Sequence, residues 1–78
     1  MLPRMESSLH VLMETSIQIA WDYLERTGEL GDPERASAFL MDTVEAMIRK
    51  GERRKLLLSN RAIERYRIFR EKVIELPR

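Results

Sequence analysis

Apolar positions recur at helical spacing through most of the chain, and the pattern predicts three helices. The first covers residues 8–27. On a helical wheel Leu9, Leu12, Met13, Ile17, Ile19, Ala20, Tyr23 and Leu24 share one arc, Trp21 extends it, and Glu14, Gln18, Asp22 and Glu25 oppose it. That arc is roughly 200° wide, about twice what a surface helix with one inward face requires. Ser7 and Ser8 offer hydroxyls to the free amides of the first turn, and Gly28 supplies a residue suited to a left-handed stop.

The second helix, 33–50, has the clearest start. Asp32 suits the N-cap, Pro33 at the first helical position loses no needed hydrogen bond, and Glu34 complements the positive end of the dipole. Ala36, Phe39, Leu40, Thr43, Val44, Met47 and Ile48 form its stripe, and Met41 and Ala46 widen it to roughly 220°. Only Glu34, Arg35, Asp42, Glu45 and Arg49 wet the other side. Arg49 and Lys50 suit its C-terminus and Gly51 ends it.

Ser59 or Asn60 is the expected cap of a third helix over 60–76, stopped by Pro77. Its stripe is narrow: Ala62, Tyr66, Phe69, Val73 and Leu76, edged by Ile63 and Ile74, with Ile68 alone on the charged side. Residues 52–58 read either as a loop or as an early turn with Leu56-Leu57-Leu58 tucked beneath it. Arg61 pairs with Glu64 and Arg67 with Glu64 or Glu71 at helical spacing.

The connector Gly28-Glu29-Leu30-Gly31 is short, so the first two helices form an antiparallel hairpin. The fold class is all-α: one domain over 1–78, a helical hairpin plus a third helix. Two wide apolar arcs and one narrow stripe leave apolar surface uncovered in a monomer. A twofold copy would cover it, so the expected assembly is a homodimeric helical bundle through Leu12, Ile19, Trp21, Tyr23, Met41, Val44 and Ile48. The alternative cover is a fold-back of Leu2, Met5 and the leucine triplet.

Length strengthens this expectation. A chain of 78 residues has a core that is marginal without a staple or partner, and it contains no cysteine to supply a disulfide or a thiolate zinc site. With 44% hydrophobic and 35% charged residues it has enough apolar side chains to fold. Uncharged runs are far shorter than the roughly 20 residues that cross a bilayer, and the start does not read as a signal peptide. The expected setting is cytoplasmic, with no membrane partner.

The net charge of +1 conceals a division. Residues 1–48 carry three basic side chains against nine acidic; residues 49–78 carry eleven against four. The densest basic stretch, Arg49, Lys50, Arg53, Arg54 and Lys55, precedes Arg61, Arg65 and Lys72 on one side of the third helix. Arg49, Lys50, Arg53, Arg54, Lys55, Arg61 and Arg65 are therefore the candidates for binding a polyanion, nucleic acid included. The connector is too long for a helix-turn-helix turn, and the near-neutral total is unlike a typical nucleic-acid domain. The plainer reading sets the basic third helix near the acidic faces of the first two.

Catalysis finds little footing. His10 and Glu14 sit four apart and could give two metal ligands, fewer than a zinc site uses. The serines fall at caps or inside helices with His10 as the only histidine base, and the carboxylate pairs Asp22/Glu25 and Asp42/Glu45 lie on solvated faces. The sequence thus points to a non-enzymatic protein without cofactor: a self-associating interaction or regulatory module, with itself or another protein as partner. The alternative is a nucleic-acid-binding regulator built on residues 49–72.

Overall fold

The computed structural model describes the backbone of residues 4–75 and the side chains of residues 9–72. It contains three helices, α1 (Arg4–Arg26), α2 (Pro33–Arg49) and α3 (Lys55–Glu75), each packed against both others, and no strand among the described residues. The side chains of Leu2, Met5, Val73, Ile74 and Leu76, and the stop at Pro77, lie outside what is described.

Residues 16, 20 and 24 of α1 repeat every four positions and are fully buried, as are Ala36, Leu40 and Val44 of α2 and Leu58 and Ala62 of α3. Small side chains on each helix let the backbones approach. Leu24, Leu40, Leu58 and Tyr66 fill the space between them. Truncating one such leucine to alanine costs about 2–5 kcal/mol, a large part of a small domain's stability. Phe39 of α2 lies 4.6 Å from Phe69 and 5.6 Å from Tyr66, so an aromatic trio fastens α2 to α3. The hydroxyl of Ser16 is buried without a hydrogen-bond partner, a flaw worth about 1–3 kcal/mol.

The molecule measures 53 × 24 × 20 Å. A helix of 23 residues spans roughly 34 Å, so the three are staggered and not flush. Beyond the overlap at one end, Leu9 and Val11 of α1 are exposed.

Both α1 and α2 stop at a glycine with positive φ. At the end of α1 the amide of Gly28 (φ 76°) donates to the carbonyl of Glu25 and that of Glu29 to Leu24. At the end of α2, Gly51 (φ 109°) donates to Ile48 and Glu52 to Met47. This pair of bonds closes a helix and needs the left-handed residue glycine tolerates. Asp32 occupies the N-cap of α2 with extended backbone, but its carboxylate makes no capping bond; the backbone carbonyl accepts from Ala36 instead.

Two helices begin earlier than the sequence suggests. α1 starts at Arg4, which puts Ser7 and Ser8 inside the helix. α3 starts at Lys55, five residues before the expected boundary at 60. Its first bond runs from the amide of Leu58 to the carbonyl of Arg54, and the Glu52 carboxylate holds the turn just before it by accepting from the amides of Arg53 and Arg54. Ser59 caps nothing: its hydroxyl donates back to Lys55 and Leu56, inside the helix.

Candidate interaction surfaces

The seven candidate cations fall into two groups. Arg49 pairs with Glu45 at 2.9 Å, one turn back on α2. Arg53 donates to the carbonyls of Ile48 and Glu52 at 2.7 and 2.9 Å, which caps the C-terminus of α2. Arg54 forms two hydrogen bonds to Glu52, at 3.0 and 3.2 Å. The bonds from Arg54 hold the Glu52 carboxyl down at about 2, and Glu52 in turn raises Arg54. Arg53 and Arg54 therefore serve the turn, and Arg49 is paired along α2.

Lys50, Lys55, Arg61 and Arg65, by contrast, make no ion pair among the described residues. Lys50, Arg61 and Arg65 line one cleft of about 390 Å³ between the end of α2 and the start of α3, with Ala46, Met47 and Leu57 as its apolar walls. Gly51 and Glu52 close its end. Exposed Lys72 continues the line along α3, and exposed Ile68 sits within it. Glu52, already held by Arg54, is the one carboxylate among the described residues that line the cleft. Glu64 and Glu71 project roughly a quarter turn away.

The acidic side chains collect on the other side of α2. Phe39, Ala46 and Met47 face α3, so Met41 and Ile48 mark the edge of α2 beside α1. Tyr23 fixes the α3 side of α1, because Arg67 of α3 reaches its hydroxyl at 3.0 Å and lies 5.3 Å from its ring centre. Ile17 and Trp21, on the opposite shoulder of α1, therefore flank the α1–α2 seam. Exposed Glu14, Glu25, Glu34 and Glu45 border that seam, while Asp42 stands on the outer face of α2, nearer Ala46.

The seven candidate interface residues are accordingly not one surface. Val44 is fully buried in the three-helix core, because the arc that looked too wide for one partner faces both α1 and α3. Leu12, Ile19 and Tyr23 lie on the side of α1 toward α3, with Tyr23 beneath Arg67. Trp21, Met41 and Ile48 remain together at the α1–α2 seam; Met41 is 46% exposed. Ile17 belongs with them.

The connector between α1 and α2 supplies contacts that sequence spacing does not reveal. Buried Leu30 accepts a hydrogen bond from the Tyr66 hydroxyl. Arg67 makes two bonds to Glu29, at 2.9 and 3.0 Å, and Arg70 donates to the carbonyl of Glu29. The Arg67 bonds, with a further one from Thr27, hold the Glu29 carboxyl below its usual value; the same bond from Glu29, then Tyr23, raises Arg67. Burial pushes the Tyr66 hydroxyl up. Arg67 thus bonds across the fold and not to Glu64 or Glu71. Glu29, Arg67, Ile68, Arg70 and Glu71 line a second depression of about 350 Å³, whose arginines are already engaged by the connector. The third helix does meet an acidic group of the first half, but at the connector and not along the helix faces.

His10 and Glu14 pair at 3.1 Å in an exposed position on α1. Among the described residues no three His, Cys, Asp or Glu side chains are grouped to hold a metal ion, and no helix is long and apolar enough to cross a membrane. No protein-family model, curated protein or solved structure matches the chain.

Proposed function

We propose that this chain is a non-enzymatic interaction module that works in the cytoplasm by associating with itself over the α1–α2 seam. The observation that carries the reading is the apolar strip along that seam: Ile17, Trp21 and Ile48, half-buried against the core, and exposed Met41, in a row rimmed by carboxylates. An apolar centre with a polar rim is the usual anatomy of a protein–protein interface, and tryptophan is a frequent anchor. A partner copy would also enlarge a core that is small for an isolated domain. Sedimentation equilibrium at micromolar concentration is the test. The expected species has twice the 9.3 kDa chain mass, and Met41→Asp shifts it toward monomer. A wild-type protein that stays monomeric removes the reading.

One observation favours a second reading, a nucleic-acid-binding regulator: the cations left unpaired along the α2–α3 face. Several phosphate contacts would make binding to duplex DNA or RNA fall steeply with salt. No binding at low ionic strength removes it.

A further inference from the structure

We infer that the basic α2–α3 cleft is the docking site for the carboxylates bordering the α1–α2 seam of a second copy, so that opposite charges fix the geometry of the dimer. The inference rests on the self-association reading and specifies its partner surface. An α1–α2 seam laid directly on its own copy would bring Glu25 and Glu34 against like charges, which is unfavourable at an interface. Lys50, Arg61 and Arg65 make no ion pair among the described residues, and the carboxylate in their cleft, Glu52, is held by Arg54. The two needs answer each other.

The layout lets one twofold pair satisfy both. Glu25 and Glu34 stand at the connector end, near the close of α1 and the start of α2. Lys50 and Arg61 stand at the opposite end, at the cleft. Along α2, Glu34 and Lys50 are separated by roughly 24 Å of helix. A twofold pairing in which the two α2 helices cross brings the acidic end of each to the basic end of the other. In a twofold contact residue i meets j and j meets i, so this occurs twice and the assembly closes. The apolar parts also correspond, with Met41 on one side and Ala46 and Leu57 on the other. A nucleic acid would use only the basic half of this division; a second copy uses both.

Asp42 offers an independent check. Exposed at the middle of α2, it would lie near its own copy across the axis. Asp42→Asn should therefore tighten the dimer.

The decisive experiment is a charge exchange read by sedimentation velocity, with circular dichroism confirming that each variant is helical. All four substituted side chains are exposed, so the fold should survive. Wild type should be a dimer that dissociates as salt rises. Arg61→Glu/Arg65→Glu and Glu25→Lys/Glu34→Lys should each weaken association at least about tenfold, because each places like charges together. An equimolar mixture of the two should recover a dimer. Should either variant lose helix, Arg61→Gln/Arg65→Gln and Glu25→Gln/Glu34→Gln replace them, with a smaller weakening expected. A wild-type dimer that the basic-face variant leaves unchanged overturns this inference while the apolar seam stands. A monomeric wild type overturns both. If that monomer binds duplex DNA and Arg61→Glu/Arg65→Glu abolishes binding, nucleic acid is the occupant of the cleft.

Discussion

The turn from α1 to α2 and the turn from α2 to α3 begin in the same way and end differently. Each opens with a glycine of positive φ and the same two backward hydrogen bonds. After Gly28 the chain buries Leu30 and is held by Tyr66, Arg67 and Arg70, residues at least 36 positions later. After Gly51 every side-chain bond stays within five residues, among Ile48, Glu52, Arg53 and Arg54. One turn is a clasp on the third helix. The other is closed on itself, which leaves the neighbouring Lys50, Arg61 and Arg65 unoccupied. Similar local chemistry thus yields tertiary anchoring in one place and a free charged surface in the other.

The contrast can be broken by substitution. The largest difference is expected between leucines: Leu30→Ala should destabilise by about 2–4 kcal/mol in urea unfolding, and Leu56→Ala, 65% exposed, by less than about 0.5. An equal loss at both would erase the distinction. Next comes Tyr66→Phe, which leaves the carbonyl of buried Leu30 without its donor; the expected loss is about 1–3 kcal/mol. Glycine replacements within the α1–α2 connector separate the backbone cost from the contact with α3. An alanine Cβ at Gly28 meets nothing within 4 Å, so Gly28→Ala carries the left-handed backbone cost of about 1–2 kcal/mol. At Gly31 (φ 71°) it also sits 3.1 Å from the Arg70 guanidinium carbon, so Gly31→Ala should lower the thermal midpoint further.

Acid titration gives the smallest and most local reading. Glu29 and Glu52 both ionise below the usual 4.5, so their contributions are full above that value and fade as pH falls. For Glu52 the fading runs from 4.5 down to about 2. Carboxyl NMR shifts should show Arg67→Ala returning Glu29 toward its ordinary value while leaving Glu52 unchanged, and Arg54→Ala doing the reverse. Movement of both carboxyls in either variant would couple two turns that the geometry keeps separate.

The elements most legible in the sequence were those whose signals are local. Pro33 starts α2, Gly28 and Gly51 close helices, and the stripe positions Ala20, Leu24, Leu40 and Val44 are core. The start of α3 is less legible because a serine hydroxyl can cap a helix or bond back into one; Ser59 does the second, so residues 55–58 form the early turn, one of the two readings of 52–58. Of the basic candidates, spacing named the residues but could not divide them. That Glu52 engages Arg53 and Arg54 while Arg61 and Arg65 stay free depends on how the turn closes. The Tyr66–Leu30 and Arg67–Glu29 contacts join positions with no periodic relation, so only the packed chain reveals them.

The connector clasp also sets an order of assembly. The donors to the connector carbonyls, Tyr66 and Arg70, both stand on α3, so these groups have no side-chain partner until α3 docks. Until then the carbonyls of Glu29 and Leu30 have water in place of their side-chain donors. A hairpin of α1 and α2 alone therefore leaves its connector unfastened.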